Sequence, residues 1–165
     1  MKRLIIISLI TGMIFLFSNT VFGMYTPEVI ERHGVVVIRN SKENGLVAGG
    51  QFGLTEDLAV VADVGEDDFN RAAIKFQLNP TLSVLGGVKD SELFLGFNFG
   101  GEFTENISGL GELDIYKLND RYAYDYEVGL KFSITPNLDI RGGLFGTVTE
   151  TDTTRYIQYG IGYKF

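Results

Sequence analysis

Two acidic pairs, Glu112/Asp114 and Asp125/Glu127, flank the dipeptide Asn119-Asp120. If that dipeptide is a two-residue hairpin loop, Glu112 faces Glu127 and Asp114 faces Asp125, since directly opposed residues of an antiparallel pair project to one side. Four carboxylates then share one wall. Arg71, Lys75 and Lys89 occupy polar positions of the predicted fourth and fifth strands, and Lys131 and Arg141 those of the eighth and ninth. Carboxylates set opposite cations support three kinds of chemistry. They can impose a transverse field across a narrow pore, where lumen charge tunes selectivity if water passes. They can form an internal salt-bridge and hydrogen-bond core, because buried charges must be paired. They can ligate a hard cation such as Ca²⁺. The spacing follows sheet pairing and no ion-binding loop motif, so no metal is expected. The paired core is the expected use and the pore the alternative.

Other chemistry finds little support. His33 is the only histidine, beside Glu31 and Arg32, and a lone imidazole without a neighbouring nucleophile reads as a rim residue. There is no cysteine, which excludes disulfides, thiol chemistry and cysteine metal sites. The pairs Gly49-Gly50, Gly86-Gly87, Gly100-Gly101 and Gly142-Gly143 lie within or at the ends of predicted strands, where they provide packing space or bends, not a phosphate loop. Glu66-Asp67-Asp68 and Glu150-Thr151-Asp152 read as a solvated acidic rim. Asn106-Ile107-Ser108 matches a glycosylation sequon within a predicted turn and is discounted. No catalytic residues and no cofactor are expected, and the role is non-enzymatic.

The elements that position these charges are set by a recurring turn. Leu54-Thr55-Glu56-Asp57-Leu58, Leu78-Asn79-Pro80-Thr81-Leu82, Phe103-Thr104-Glu105-Asn106-Ile107 and Ile134-Thr135-Pro136-Asn137-Leu138 share one pattern of apolar, Thr/Asn, Glu/Pro, small polar and Leu/Ile residues. Pro, Asn, Asp and Thr in these places are tight-turn chemistry. The spacings are 24, 25 and 31 residues, and 31 more reach Phe165. Between these turns lie loops at 41–45, 66–70, Asp90-Ser91, Asn119-Asp120 and 151–154. The chain therefore reads as an all-β, up-and-down antiparallel barrel of about ten strands, with eight as the runner-up. Strands are predicted near 29–40, 46–54, 58–65, 71–78, 82–89, 92–103, 107–118, 121–134, 138–150 and 155–165. The first is the weakest, because residues 28–33 alternate poorly.

Period two holds across the turns. Tyr122, Tyr124, Tyr126, Val128, Leu130, Phe132 and Ile134 alternate with Ala123, Asp125, Glu127, Gly129, Lys131 and Ser133. A slip of one residue would invert such a strand, so register is strongly specified. The 24-residue periods leave about eight or nine residues per strand and the 31-residue periods about twelve, where a tilted spanning strand needs about 9–11. A lopsided barrel follows.

Targeting and charge narrow the setting. Lys2 and Arg3 precede a 14-residue apolar run over residues 4–17, then Ser18-Asn19-Thr20-Val21-Phe22-Gly23. This reads as a signal peptide over 1–23, with Met24 the mature start and 24–165 a single domain. Removing Lys2 and Arg3 from 14 basic residues leaves 12 against 21 acidic ones, a net −9, which disfavours nucleic acid. The 14-residue run is short for a spanning helix, and no other stretch reaches 18 apolar residues, so a helical membrane protein is not expected.

Alternation alone leaves open whether the apolar face meets lipid or a soluble core; a ligand-binding soluble barrel would place it inside. Aromatic residues near the strand ends favour lipid: Tyr122 and Tyr124 at one rim, and Phe132, Phe99, Phe103, Tyr163 and Phe165 at the other.

The final strand, Ile157 to Phe165, ends on an aromatic residue, and the Thr135-Pro136-Asn137-Leu138 turn accompanies it. On these features the chain resembles the small bacterial outer-membrane β-barrel superfamily, that of OmpA-barrel, OmpX-like and opacity-type proteins. Those barrels have eight strands and longer loops than the two- to five-residue loops read here. The resemblance implies outer-membrane localisation, contact with outer-membrane lipid, and engagement of the barrel-assembly machinery through the strand ending at Phe165. A monomer with a polar, mostly filled lumen is expected, or alternatively a narrow, porin-like path for small ions or solutes.

Overall fold

A computed structural model describes residues 25–165 except 42–44, 67–68 and 119. The predicted signal peptide over 1–23 and Met24 lie outside the described residues, as do Asp67, Asp68 and Asn119 of the predicted loops.

The four recurrent turns owe their shared second residue to a hydrogen bond. Thr55, Thr104 and Thr135 Oγ1 accept from the backbone N–H of Leu58, Ile107 and Leu138 at 3.1, 3.1 and 3.0 Å. Asn79 Oδ1 accepts from Thr81 N–H at 2.9 Å. A short polar side chain that satisfies turn N–H groups is what lets the chain reverse in so few residues. At the opposite end, Asp90 and Ser91 have φ of 49° and 74° and join Lys89 to its ladder partner Glu92. Positive φ at both central residues makes this a type I′ turn, whose twist matches the flanking strands.

Ten strands result: β1 (Gly34–Ser41), β2 (Gly45–Gly53), β3 (Leu58–Gly65), β4 (Asn70–Asn79), β5 (Leu82–Lys89), β6 (Glu92–Thr104), β7 (Ile107–Leu118), β8 (Arg121–Ser133), β9 (Leu138–Val148) and β10 (Thr153–Lys164). All neighbours pair antiparallel, and β1 pairs β10 to close the barrel. Closure at ten strands removes the eight-strand alternative and leaves no free edge. β1 to β5 have 8 to 10 residues and β6 to β10 have 11 to 13, so the barrel is lopsided as the turn spacing implied.

One strand boundary needs correction. β1 starts at Gly34, not near residue 29. Arg32, with φ of 58°, turns the chain just before it, and residues 25–29 run inside the barrel. Residues 28–33 alternate poorly because most of them leave the lumen and turn instead of pairing in a full strand; Glu28 and residues 30–33 are exposed.

The faces are sorted inside out relative to a soluble barrel. Val128, Leu130, Leu144, Ile157 and Ile161 lie exposed on the exterior, while Arg71, Lys75, Asp63, Asn98 and Arg141 are buried within. This is the opposite of a soluble ligand-binding barrel with an apolar interior. The interior also holds an apolar cluster: Tyr25, Val37, Val61, Ala73, Leu85 and Phe94.

Candidate functional site

The barrel register places the charges. Glu112 opposes Glu127, and Asp114 opposes Asp125, across the β7–β8 ladder, and all four carboxylates are buried. On the facing wall Arg71 of β4 reaches across the lumen. Its Nη2 lies 2.6 Å from Glu112 Oε1 and 3.2 Å from Asp114 Oδ2, and its Nη1 is 3.7 Å from Asp63 Oδ2. The guanidinium also sits 4.8 Å over the Phe94 ring. Arg39 of β1 takes the other oxygen of Asp63 at 3.0 Å. A planar guanidinium with several donors can serve multiple carboxylates at once, which a lysine ammonium does less well.

Nearer the loop end, Lys89 pairs with Asp125, which also accepts from Thr147 Oγ1 at 2.7 Å and Tyr116 Oη at 3.2 Å. Gln158 Nε2 donates to Glu127 Oε1 at 2.6 Å. At the turn end, Arg141 grips Asp139 through two parallel bonds, Nε to Oδ1 at 2.5 Å and Nη2 to Oδ2 at 3.1 Å. This fork geometry is the strong form of a charge-assisted pair. Lys131 faces inward beside Arg141 in the ladder and pairs with no carboxylate among the described residues.

Lys75 has a different environment. It is fully buried, and its ammonium donates to three neutral oxygens: Gln51 Oε1 at 2.9 Å, Asn98 Oδ1 at 3.0 Å and the backbone carbonyl of Thr26. The Thr26 carbonyl belongs to the segment inside the lumen. Asn98 Nδ2 donates to Tyr25 O at 2.9 Å, Gln51 Nε2 donates to Glu28 O at 3.0 Å, and Val29 N–H donates to Gln77 Oε1. Tyr25 Oη donates to Asp63 Oδ1 at 2.7 Å, which ties the segment to the arginine network.

The nine predicted lumen charges thus point inward; Arg71 and Lys89 contact carboxylates of the opposite wall, Arg141 pairs along its own strand, and Lys75 and Lys131 pair with no carboxylate among the described residues. Contact at these distances replaces an open transverse field with ion pairs. Among the described residues no group of three or more His, Cys, Asp or Glu side chains is arranged to hold a metal ion. A space of about 30 Å³, room for a water or two, lies among Arg39, Arg71, Glu112, Asp114, Glu127 and Gln158. A wider mouth of about 320 Å³ opens at the loop end beside Phe69, Lys89, Tyr116, Phe145 and Tyr156.

Sequence reasoning missed Arg39, Asp63, Asp139, Asn98, Gln51 and Gln158. Two of these had a signal. Asp63 is the direct ladder partner of Arg71, and Asp139 stands two residues from Arg141 on the same strand face. Tyr25 had none, because no periodicity reports a segment lodged inside a barrel.

The seven predicted rim aromatics, Tyr122, Tyr124, Phe132, Phe99, Phe103, Tyr163 and Phe165, are all exposed on the exterior. Three of them have a second use. A Cβ on Gly111 would meet the Phe99 ring at 2.2 Å, one on Gly109 the Phe103 ring at 2.8 Å, and one on Gly34 the Phe165 ring at 2.4 Å. Aromatic rings laid over strand glycines cover backbone that would otherwise lack side-chain packing. Phe165 and Gly34 also exchange two backbone hydrogen bonds of 3.0 Å, so this contact seals the seam between β10 and β1.

No protein-family model and no curated protein sequence matches the chain. Among solved structures, a chain from the de novo design of transmembrane beta-barrels aligns over 84% of this chain and 99% of its own, with 14% identity and a TM-score of 0.43. The KdgM porin aligns over 81% of this chain and 99% of its own, with 13% identity and a TM-score of 0.46. At that identity and superposition neither neighbour carries a function to this chain.

Proposed function

We propose that this protein is a non-enzymatic, integral outer-membrane β-barrel of bacterial type whose polar lumen is shut at rest by its own side chains and N-terminal segment. The carrying observation is the sorting of the two faces: apolar side chains outward around the barrel, ion pairs inward. A soluble monomer rarely exposes contiguous apolar patches beyond a few hundred Å², whereas a closed barrel is the one β architecture that satisfies every backbone group in lipid. Aromatic residues at both rims and the lengths of β6 to β10 support the same reading. A signal peptide over 1–23 would deliver the chain, and the strand ending at Phe165 would present it to assembly machinery. The shut lumen rests on the arginine-centred network and on the enclosed residues 25–29.

Purification and bilayer recording test the two halves separately. The mature chain should require detergent to remain dispersed, should partition into outer-membrane fractions as a monomer, and should pass no steady current in a planar bilayer. A chain that stays soluble and monomeric without detergent would overturn the membrane reading. Steady conductance by the intact chain would replace the shut barrel with a narrow pore.

A further inference from the structure

We infer that the lumen toward the turn end is a peptide-binding site, occupied in cis by residues 25–29, and that this occupancy is the releasable part of what shuts the barrel, the arginine-centred network being the other. The inference rests on the shut-lumen reading above and adds the ligand and the site.

The contacts are those of a peptide receptor. The carbonyls of Tyr25, Thr26 and Glu28 accept from Asn98 of β6, Lys75 of β4 and Gln51 of β2, and the Val29 N–H is taken by Gln77 of β4. Four side chains on three strands therefore read the backbone of one segment, which bends at Pro27. Two positions are read by side chain. The Tyr25 ring enters the apolar cluster of Val37, Val61, Ala73, Leu85 and Phe94, and its hydroxyl ends on Asp63. Gly49 makes room for it, since a Cβ there would lie 2.2 Å from the Tyr25 oxygen. Pro27 is buried, has no N–H to satisfy, and packs beside Gly100, where a Cβ would lie 3.1 Å from its Cδ. The site thus selects an aromatic-x-Pro peptide that bends at the proline.

The segment is also separable from the wall. The β1–β10 ladder closes the barrel without it, and its contacts to the wall run through side chains. Its outlet at Ile30 to Arg32 is a turn held by His33 N–H to Ile30 O at 3.2 Å and Arg32 N–H to Gly53 O at 2.9 Å. Departure exposes groups that water can solvate: Lys75, Gln51, Asn98 and Asp63. A tethered segment competes at an effective concentration of about millimolar, so a free peptide needs that order of concentration to replace it.

The test uses the full mature chain carrying Tyr25→Ala, folded in detergent and verified by heat-modifiable gel mobility. In planar bilayers this variant should open at least about tenfold more often than the intact chain. Millimolar acetyl-Tyr-Thr-Pro-Glu-Val-amide should close it, while the same peptide with alanine for tyrosine should not. A second variant that begins at Ile30 should be constitutively open and closed by the same peptide. Folded variants that stay as silent as the intact chain, or open variants indifferent to the peptide, would overturn the inference. Fluorescence anisotropy of labelled peptide on the Ile30 variant in detergent needs no bilayer, so a failure of the plug and a failure of the membrane reading give different results. Binding there is expected, and its absence would equally overturn the inference.

Discussion

Arg71→Met is the sharpest perturbation of the interior, because one guanidinium serves three carboxylates. Methionine keeps much of the side-chain length and the contact with Phe94 while deleting the charge. The three partners do not lose equally. Asp63 keeps Arg39 at 3.0 Å and the Tyr25 hydroxyl at 2.7 Å. Glu112 keeps Asn98 Nδ2 at 3.3 Å. Asp114 keeps neither an ion pair nor a side-chain hydrogen bond among the described residues. Removing one partner of a buried pair costs about 3–5 kcal/mol, most of it from the charge left behind. The variant should therefore lose about that much, and Arg71→Met with Asp114→Asn should recover about 1–3 kcal/mol of it, the usual coupling of contacting residues. The chain has no tryptophan, so urea unfolding is best followed by far-UV circular dichroism and gel mobility in refolded samples. A loss below about 1 kcal/mol, or no recovery in the double variant, would refute the paired-core reasoning.

Three further outcomes can be measured in the same way. Val128→Arg places a charge on the exterior of β8 and should cost about 2–4 kcal/mol in vesicles if Val128 lies near the midplane, whereas Gly142→Ala, with open space around its Cβ, should be neutral. Gly111→Ala drives a methyl into the Phe99 ring and should cost about 1–3 kcal/mol; Phe99→Ala added to it should show strong non-additivity. The exposed Arg121–Glu150 pair at 2.8 Å should contribute no more than about 1 kcal/mol, and Arg121→Ala should lose any effect near 1 M salt, where screening is nearly complete; an unchanged effect in high salt would mean the pair is not solvated.

Much of the architecture is legible along the chain because it is local. The repeated turn reports itself through one Thr or Asn that bonds its own turn, and Asp90-Ser91 marks a two-residue reversal by residue type alone. Register follows from turn length, so Glu112 opposite Glu127 and Asp114 opposite Asp125 could be read before any coordinates. The beginning of β1 was misplaced because residues 28–33 carry apolar and polar side chains in an order that a strand rule and an enclosed segment explain equally poorly.

The candidate site was half legible for the same reason. Inward-facing charges follow from strand parity: eight of the nine are buried, and Lys89 reaches inward to Asp125. Which cation meets which carboxylate does not follow from parity. Arg71 and Glu112 are 41 positions apart on strands that are not neighbours, and their contact depends on the stagger and diameter with which ten strands close. The Phe165–Gly34 seam and the Tyr25–Asp63 bond have the same origin.

By itself the amino-acid sequence determined strands, turns, ladder register and the chemical character of each face, because period two and turn chemistry act between residues a few positions apart. The tertiary structure decided that the apolar face turns outward, that Arg71 and Lys89 meet carboxylates across the lumen, and that residues 25–29 fill the space left beside them. Those outcomes depend on closure, which brings opposite walls within side-chain reach, and no pairwise pattern along the chain encodes that distance.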